Sequence, residues 1–292
     1  LQNGLLVSAY FVGCLVGNVL GGFVGDHWGR KQPIVAGFWL ALAGCGLGAL
    51  AQNCWSLAFL RLLIGVGSEL AQSPAQTMMS ECTPAKWRLM FSSLKISTFT
   101  MGEMWTAILF TLDDPNLLQV HWRALTVAST LPAVVCGSLV AAIYLNQSPL
   151  FLASTGRYEE AEEAVCDMRR QNGLPAVPVK LVPETATGRR SAASLTCQMR
   201  TVFGQKLFFT TLALWYCLFI VDGLHFGAMG AFTKVMVRGV DLGGSPSVSL
   251  ALGAGAEILG YVVVVLCAGW PRKQLLLSAF TFEAVCLCAF AL

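Results

Sequence analysis

Eight long apolar runs constrain this chain more than any other feature: they fall near 4–24, 33–52, 56–80, 90–112, 124–145, 207–232, 246–268 and 275–292. A bilayer core of roughly 30 Å takes about 20 consecutive apolar residues per helical crossing, so each run is long enough to span or nearly so. In lipid every backbone polar group must be satisfied internally, which leaves helices and closed barrels. Barrel strands would show alternating segments of ~10 residues. The runs are instead continuous stretches of Leu, Val, Ala, Phe and Gly, so the expected fold class is an all-α polytopic membrane protein. With 55% hydrophobic and only 12% charged residues, against about 25% charged in an ordinary soluble domain, the chain lacks the polar surface of a water-soluble globule. The first run starts within a few residues of Leu1 without the basic flank or cleavage site of a signal peptide, and the last stops at Leu292. Both ends are expected to be cuts through a longer protein.

Short cytoplasmic loops carry an excess of Lys and Arg. The connections at 25–32, 81–89, 146–206 and 269–274 hold 14 of the 19 basic residues, which predicts that they face the cytoplasm and that the chain starts outside. The net charge of +3 then reports topology, and no nucleic-acid partner is expected. Seven of the eleven Cys lie inside apolar runs, where a thiol acts as a small hydrophobe; no Cys/His cluster has zinc-like spacing. No metal or cofactor is called for.

Five runs precede a long loop and three follow it. The predicted division is residues 1–147 as a first transmembrane bundle, 148–206 as a cytoplasmic loop, and 207–292 as part of a second bundle. Within the loop, Ser148 can cap a short helix that Pro149 opens and Gly156 ends. A second, amphipathic helix is predicted from about Arg157 to Arg170, with Tyr158, Ala161, Val165 and Met168 on one face. Its Glu residues come early and Arg169 with Arg170 late, the order the helix dipole favours. Residues 174–195, rich in Pro, Ser, Thr and Ala, are expected to be a flexible linker.

Between the first two runs stands Gly22-Phe-Val-Gly-Asp26-His-Trp-Gly29-Arg30-Lys31. Two spans joined so closely need a tight reversal; Gly22 and Gly29 permit close backbone approach, and Asp26 can pair with the basic residues or cap the next helix. The segment resembles the signature loop of the major facilitator superfamily, with His27 where that family usually has Arg. Arg61-Leu-Leu-Ile-Gly65-Val-Gly67 is similar to the helix-four pattern of the sugar-porter and organic-ion branches. His121-Trp122-Arg123, Ser148-Pro149-Leu150 and Gly156-Arg157-Tyr158-Glu159-Glu160-Ala161 resemble organic-cation and synaptic-vesicle-glycoprotein-2-related transporters. Those families carry Glu-Ser-Pro-Arg where this chain has Gln147-Ser148-Pro149-Leu150, so both charges are lost. Gly269-Trp-Pro-Arg272-Lys273 resembles an eroded second copy of the signature, as expected of two related halves. The resemblance implies an incomplete major facilitator fold of about eight transmembrane helices, matching family helices two through nine.

Ionisable groups inside a bilayer usually face a bundle interior or a water-filled path. Six lie within runs: Arg61, Glu69, Glu103, Asp222, Glu257 and Glu283. Arg61 and Glu69 stand about two turns apart and are expected to pair with other helices. Glu257 has Tyr261 one turn on, Asp222 has His225 and Phe226 on its own face, and Trp105 stands near Glu103. A carboxylate beside aromatic rings suits an organic cation, while the plainer reading of each is a hydrogen bond between helices. Lys95 is expected to snorkel to the nearer surface.

No nucleophile, phosphate loop or catalytic carboxylate pair emerges, so no enzyme is predicted. The expectation is transport of a small organic solute (organic ion, sugar or similar metabolite) by alternating access, with a coupling proton or ion allowed by the intramembrane carboxylates. The alternative is a transporter-shaped receptor or trafficking protein that no longer transports. The plasma membrane or an intracellular vesicle membrane would house either.

Overall fold

The computed structural model describes residues 2–175, 200, 203–204, 208–216, 245–267 and 269–291. Among these the regular structure is helical: α1 (Gln2–Trp28), α2 (Lys31–Ala49), α3 (Cys54–Cys82), α4 (Arg88–Asp113), α5 (Trp122–Tyr144), α6 (Pro149–Ser154), α7 (Tyr158–Gln171), α8 (Pro246–Leu266) and α9 (Arg272–Ala291). Residues 208–216 are helical as well, and the rest of the expected 207–232 span lies outside the described residues, as does the linker from 176 onward. By length and composition α1, α2, α3, α5 and α8 can cross a membrane. α4 has 26 residues and α9 has 20, reaching about 39 and 30 Å at 1.5 Å per residue.

The first reversal is tighter than the sequence suggested. Gly25 to Trp28, expected as the start of the connecting loop, continue α1, and the chain turns at Gly29, whose φ is +94°. That left-handed conformation costs an L residue about 1–2 kcal/mol and glycine nothing, which explains how one residue can end a 27-residue helix. Asp26 does not cap α2; the residue at that position is Arg30, which makes no capping bond.

Glycines set the packing of the first three helices, on α1 at every fourth position from Gly13 to Gly25. A Cβ on Gly13 would lie 2.1 Å from the Leu62 carbonyl oxygen, and one on Gly17 2.3 Å from that of Val66. On α3, a Cβ at Gly65 would meet the Tyr10 oxygen of α1 at 2.2 Å, and one at Gly67 the backbone nitrogen of Ala41 on α2 at 2.7 Å. Two residues are about 200° apart on a helix, so this pair lets α3 approach α1 on one side and α2 on the other. Small residues allow such backbone contact between membrane helices. Pro74, buried inside α3, sits against Gly21 and Gly25; a Cβ on Gly21 would lie 3.1 Å from the carbonyl of Leu70, the group Pro74 leaves without its helical donor. Gly22, by contrast, has open space around it among the described residues.

α5 packs on α2, and α6 packs on α7 as a short hairpin. Ser148 caps α6 by accepting the Phe151 amide, Pro149 opens it, and Gly156 (φ +83°) ends the turn. The buried seam of the hairpin is Phe151 and Leu152 against Ala161 and Ala164. Of the expected stripe of Tyr158, Ala161, Val165 and Met168, Ala161 lies at the centre of this seam, and the other three are half-buried beside it.

Candidate translocation path and signature loop

Arg30 is the centre of the signature loop. Its guanidinium reaches Asp26 Oδ1 at 3.2 Å, Glu81 Oε1 at 3.1 Å and the Gly25 carbonyl at 2.6 Å, and lies 4.9 Å over the Phe151 ring. One side chain thus ties α1, the foot of α3 and α6 together. Both Arg30 (11% exposed) and Glu81 (13%) are largely dry, so the ion pair is desolvated and each partner depends on the other. Glu81 Oε2 is buried with no hydrogen-bond partner among the described residues. Gln147, where related families have a carboxylate, accepts the Lys31 amide at 3.4 Å, and its amide group fills the space a Cβ on Gly29 would need. A neutral oxygen therefore serves the backbone contact without the charge, and Leu150 stands exposed.

Along α3, Arg61, Ser68, Glu69, Gln72 and Gln76 fall within about 100° of the helix circumference. Glu69 accepts from Asn18 of α1 at 3.3 Å and from Gln72 at 3.4 Å, so it engages another helix, as expected. Lys95 does not simply snorkel: its Nζ donates to Gln76 Oε1 at 2.8 Å and joins α4 to α3. Arg61 is exposed at the far end of the stripe.

A long-range contact joins α4 to α8. Ser93, Thr100 and Ala107 on α4, and Ser247 and Ala254 on α8, are buried. Both sets repeat every seven residues, the spacing of a seam between near-parallel or antiparallel helices. Thr100, fully buried, donates to Glu257 Oε2 at 3.0 Å and lies 3.3 Å from the Tyr261 hydroxyl. A hydroxyl has one proton, so with Thr100 donating to Glu257, Tyr261 donates to Thr100. Ser247 closes the other end of the seam on the Pro115 carbonyl at 3.1 Å.

α4 has two unlike flanks. Ser97, Met101, Met104, Trp105 and Ile108 line an apolar cavity of about 350 Å³ with Ile258 of α8. Glu103, three residues beyond Thr100, and Glu257, one before Ile258, fall on the other flank of the seam, the side of Lys95 and α3. Trp105 is therefore not a companion of Glu103: two residues apart they point away from each other, and its indole donates to the Ala128 carbonyl of α5 at 3.3 Å. Asp222, His225 and Phe226 lie outside the described residues, and Glu283 sits half-buried in α9.

At the far end of α4 the connection to α5 is held by two carboxylates. Asp113 accepts both the amide and the ring of His121 at 2.9 Å, and Asp114 accepts the amides of Gln119, Asn116 and Leu118. These bonds favour the charged forms and hold both carboxyls below their usual range.

Sequence reasoning missed Thr100, Glu81 and the contact made by Gln147. Thr100 could have been found from the seven-residue repeat of small residues in the fourth run, and Glu81 from its place at the basic edge of the third. Nothing in the sequence marks Gln147 as more than a lost charge.

Apolar helices packed through glycine, with polar groups gathered along one interior flank, define a multi-pass membrane protein built as a solute transporter is built. The chain belongs to the Sugar (and other) transporter family, whose model matches residues 1–292, and so to the major facilitator fold. It is 25% identical over 254 residues to Solute carrier family 22 member 15 of Xenopus tropicalis (87% of this chain, 44% of the relative). It is 25% identical to the human Organic cation/carnitine transporter 2 (94% and 47%) and 28% identical to the Niacin transporter NiaP of Acinetobacter baylyi (80% and 50%). The chain spans about half the length of these curated relatives. Among solved structures it resembles the xylose transporter XylE from E. coli in a partially occluded inward-open conformation, with a TM-score of 0.49 and 19% identity over 59% of this chain and 45% of that one.

Proposed function

We propose that the protein carries a small organic solute across its membrane by alternating access, with the α4–α8 seam as the line along which two helical bundles part. The observation that carries this reading is the Thr100–Glu257–Tyr261 contact. It joins helices 157 residues apart in sequence through hydroxyls and small side chains, a surface that can separate and re-form without breaking an ion pair. Residues 1–147 form the first bundle, 148–206 the connecting cytoplasmic loop and 207–292 part of the second. The basic loops mark the signature-loop face as cytoplasmic.

Relatives named for organic cations and carnitine, niacin and sugars support a polar organic substrate of modest size. A relative named an arabinose-proton symporter supports coupling to protons, and Glu257, at the seam, is the carboxylate placed to take part. Neutralising it tests this: in the full-length parent reconstituted into vesicles, Glu257→Gln is expected to abolish uptake driven by a pH gradient. Uptake unchanged in that variant removes Glu257 from the coupling, and no uptake by the parent across a panel of such solutes removes the transport reading itself.

A further inference from the structure

A cavity of about 310 Å³ opens beside the signature loop, lined by His27, Trp28, Gln32, Phe151, Thr155 and Arg157. Its size is at the lower end of ligand clefts. Solute transport across the α4–α8 seam makes no use of it, since it lies at the ends of α1 and α2 and against the α6–α7 hairpin.

The polar groups around this cavity are unevenly committed. Two carboxylates beside it already have partners: Asp26 holds Arg30 at 3.2 Å, and Glu160 takes Nε and Nη2 of Arg157. Several donors have none. The Trp28 indole N–H and the Gln32 amide bond to no other described residue, and the bidentate grip of Glu160 leaves Arg157 Nη1 available. His27 gives its Nδ1–H to the Phe23 carbonyl at 2.8 Å, so in the neutral ring Nε2 accepts and His27 adds no donor. Lys31 adds a positive charge one residue from Arg30. A cavity lined by spare donors and a guanidinium, with no carboxylate in its lining, suits a group with several anionic oxygens. Trp28, 67% exposed on the last turn of α1, is the kind of ring that settles at the headgroup level of a bilayer.

We propose that this cavity binds a phosphate group, with Arg157, Gln32 and Trp28 as its donors, and that the phosphate is that of an anionic lipid headgroup. Bound there, the ligand bridges the end of α1 and start of α2 to the α6–α7 hairpin, and so holds Phe151 beneath Arg30.

The full-length protein in a phosphate-free maltoside detergent provides the test, with the thermal unfolding midpoint as readout, because a ligand of the native state raises it. Dihexanoyl phosphatidate is expected to raise the midpoint and dihexanoylglycerol, which lacks the phosphate, to leave it in place. Arg157→Gln and Gln32→Leu should each weaken the phosphatidate effect, the first about tenfold in concentration, the loss of one charge-assisted hydrogen bond. Arg170→Gln, at the far end of α7, should not. Stabilisation by inorganic phosphate as well supports the phosphate site while placing its source in solution too. No stabilisation by either phosphate compound overturns the proposal, as does an equal response in the Gln32→Leu variant and the parent; that variant decides the matter if Arg157→Gln does not fold. The readout does not depend on transport, so failure here leaves the transport reading standing, and the reverse.

Discussion

At the scale of single residues, Arg30 matters most. Removing its guanidinium would strand the Glu81 carboxylate, which already has one oxygen without a partner in a largely dry setting. Arg30→Ala is therefore expected to destabilise the protein by about 3 kcal/mol or more, the usual cost of breaking a buried pair from one side, read as a fall in unfolding midpoint in detergent. Asp26→Ala should cost far less, since Asp26 is 54% exposed and water can replace it. The signature could be read from the sequence because its residues are adjacent. What the sequence could not supply was Glu81, which meets Arg30 from 51 positions away, or the exchange of a charge for an amide at Gln147. Such contacts depend on where helix ends come to rest, and no local pattern encodes that.

Between residues and the whole stand the helices, whose existence and order were legible from apolar runs alone while their faces were not. Gly22 belongs to the signature and looked like a close-approach position, yet the glycines that meet another backbone on α1 are Gly13, Gly17 and Gly21. Their spacing of four was visible; which of two adjacent glycines faced α3 was not, because α1 is apolar on most sides and Asn18 alone is a weak guide to its orientation. The two classes should respond oppositely to alanine. Gly17→Ala must force α1 from α3, since its Cβ would sit 2.3 Å from a backbone oxygen, and a loss of about 1–3 kcal/mol is expected for such overpacking. Gly22→Ala meets nothing among the described residues and should be neutral or gain up to about 1 kcal/mol from helix propensity. Comparing the two unfolding midpoints separates packing glycines from the rest. Lys95 and Trp105 show the same limit: both are ordinary interface residues by sequence, and each turned out to hold α4 to a particular neighbour.

For the whole molecule, the fold class followed from apolar length and was right, since lipid leaves few alternatives for such a chain. The candidate path was legible only in part. Glu257 and Tyr261 were singled out together, but the residue that contacts both, Thr100, comes from α4 and carries no charge to draw notice. The seam they form joins alanines, serines and hydroxyls and, through Thr100, the Glu257 carboxylate. Each hydrogen bond along it is worth only about 1 to 3 kcal/mol. A joint made of several weak ties has no single latch, so losing any one of them shifts its balance without locking it.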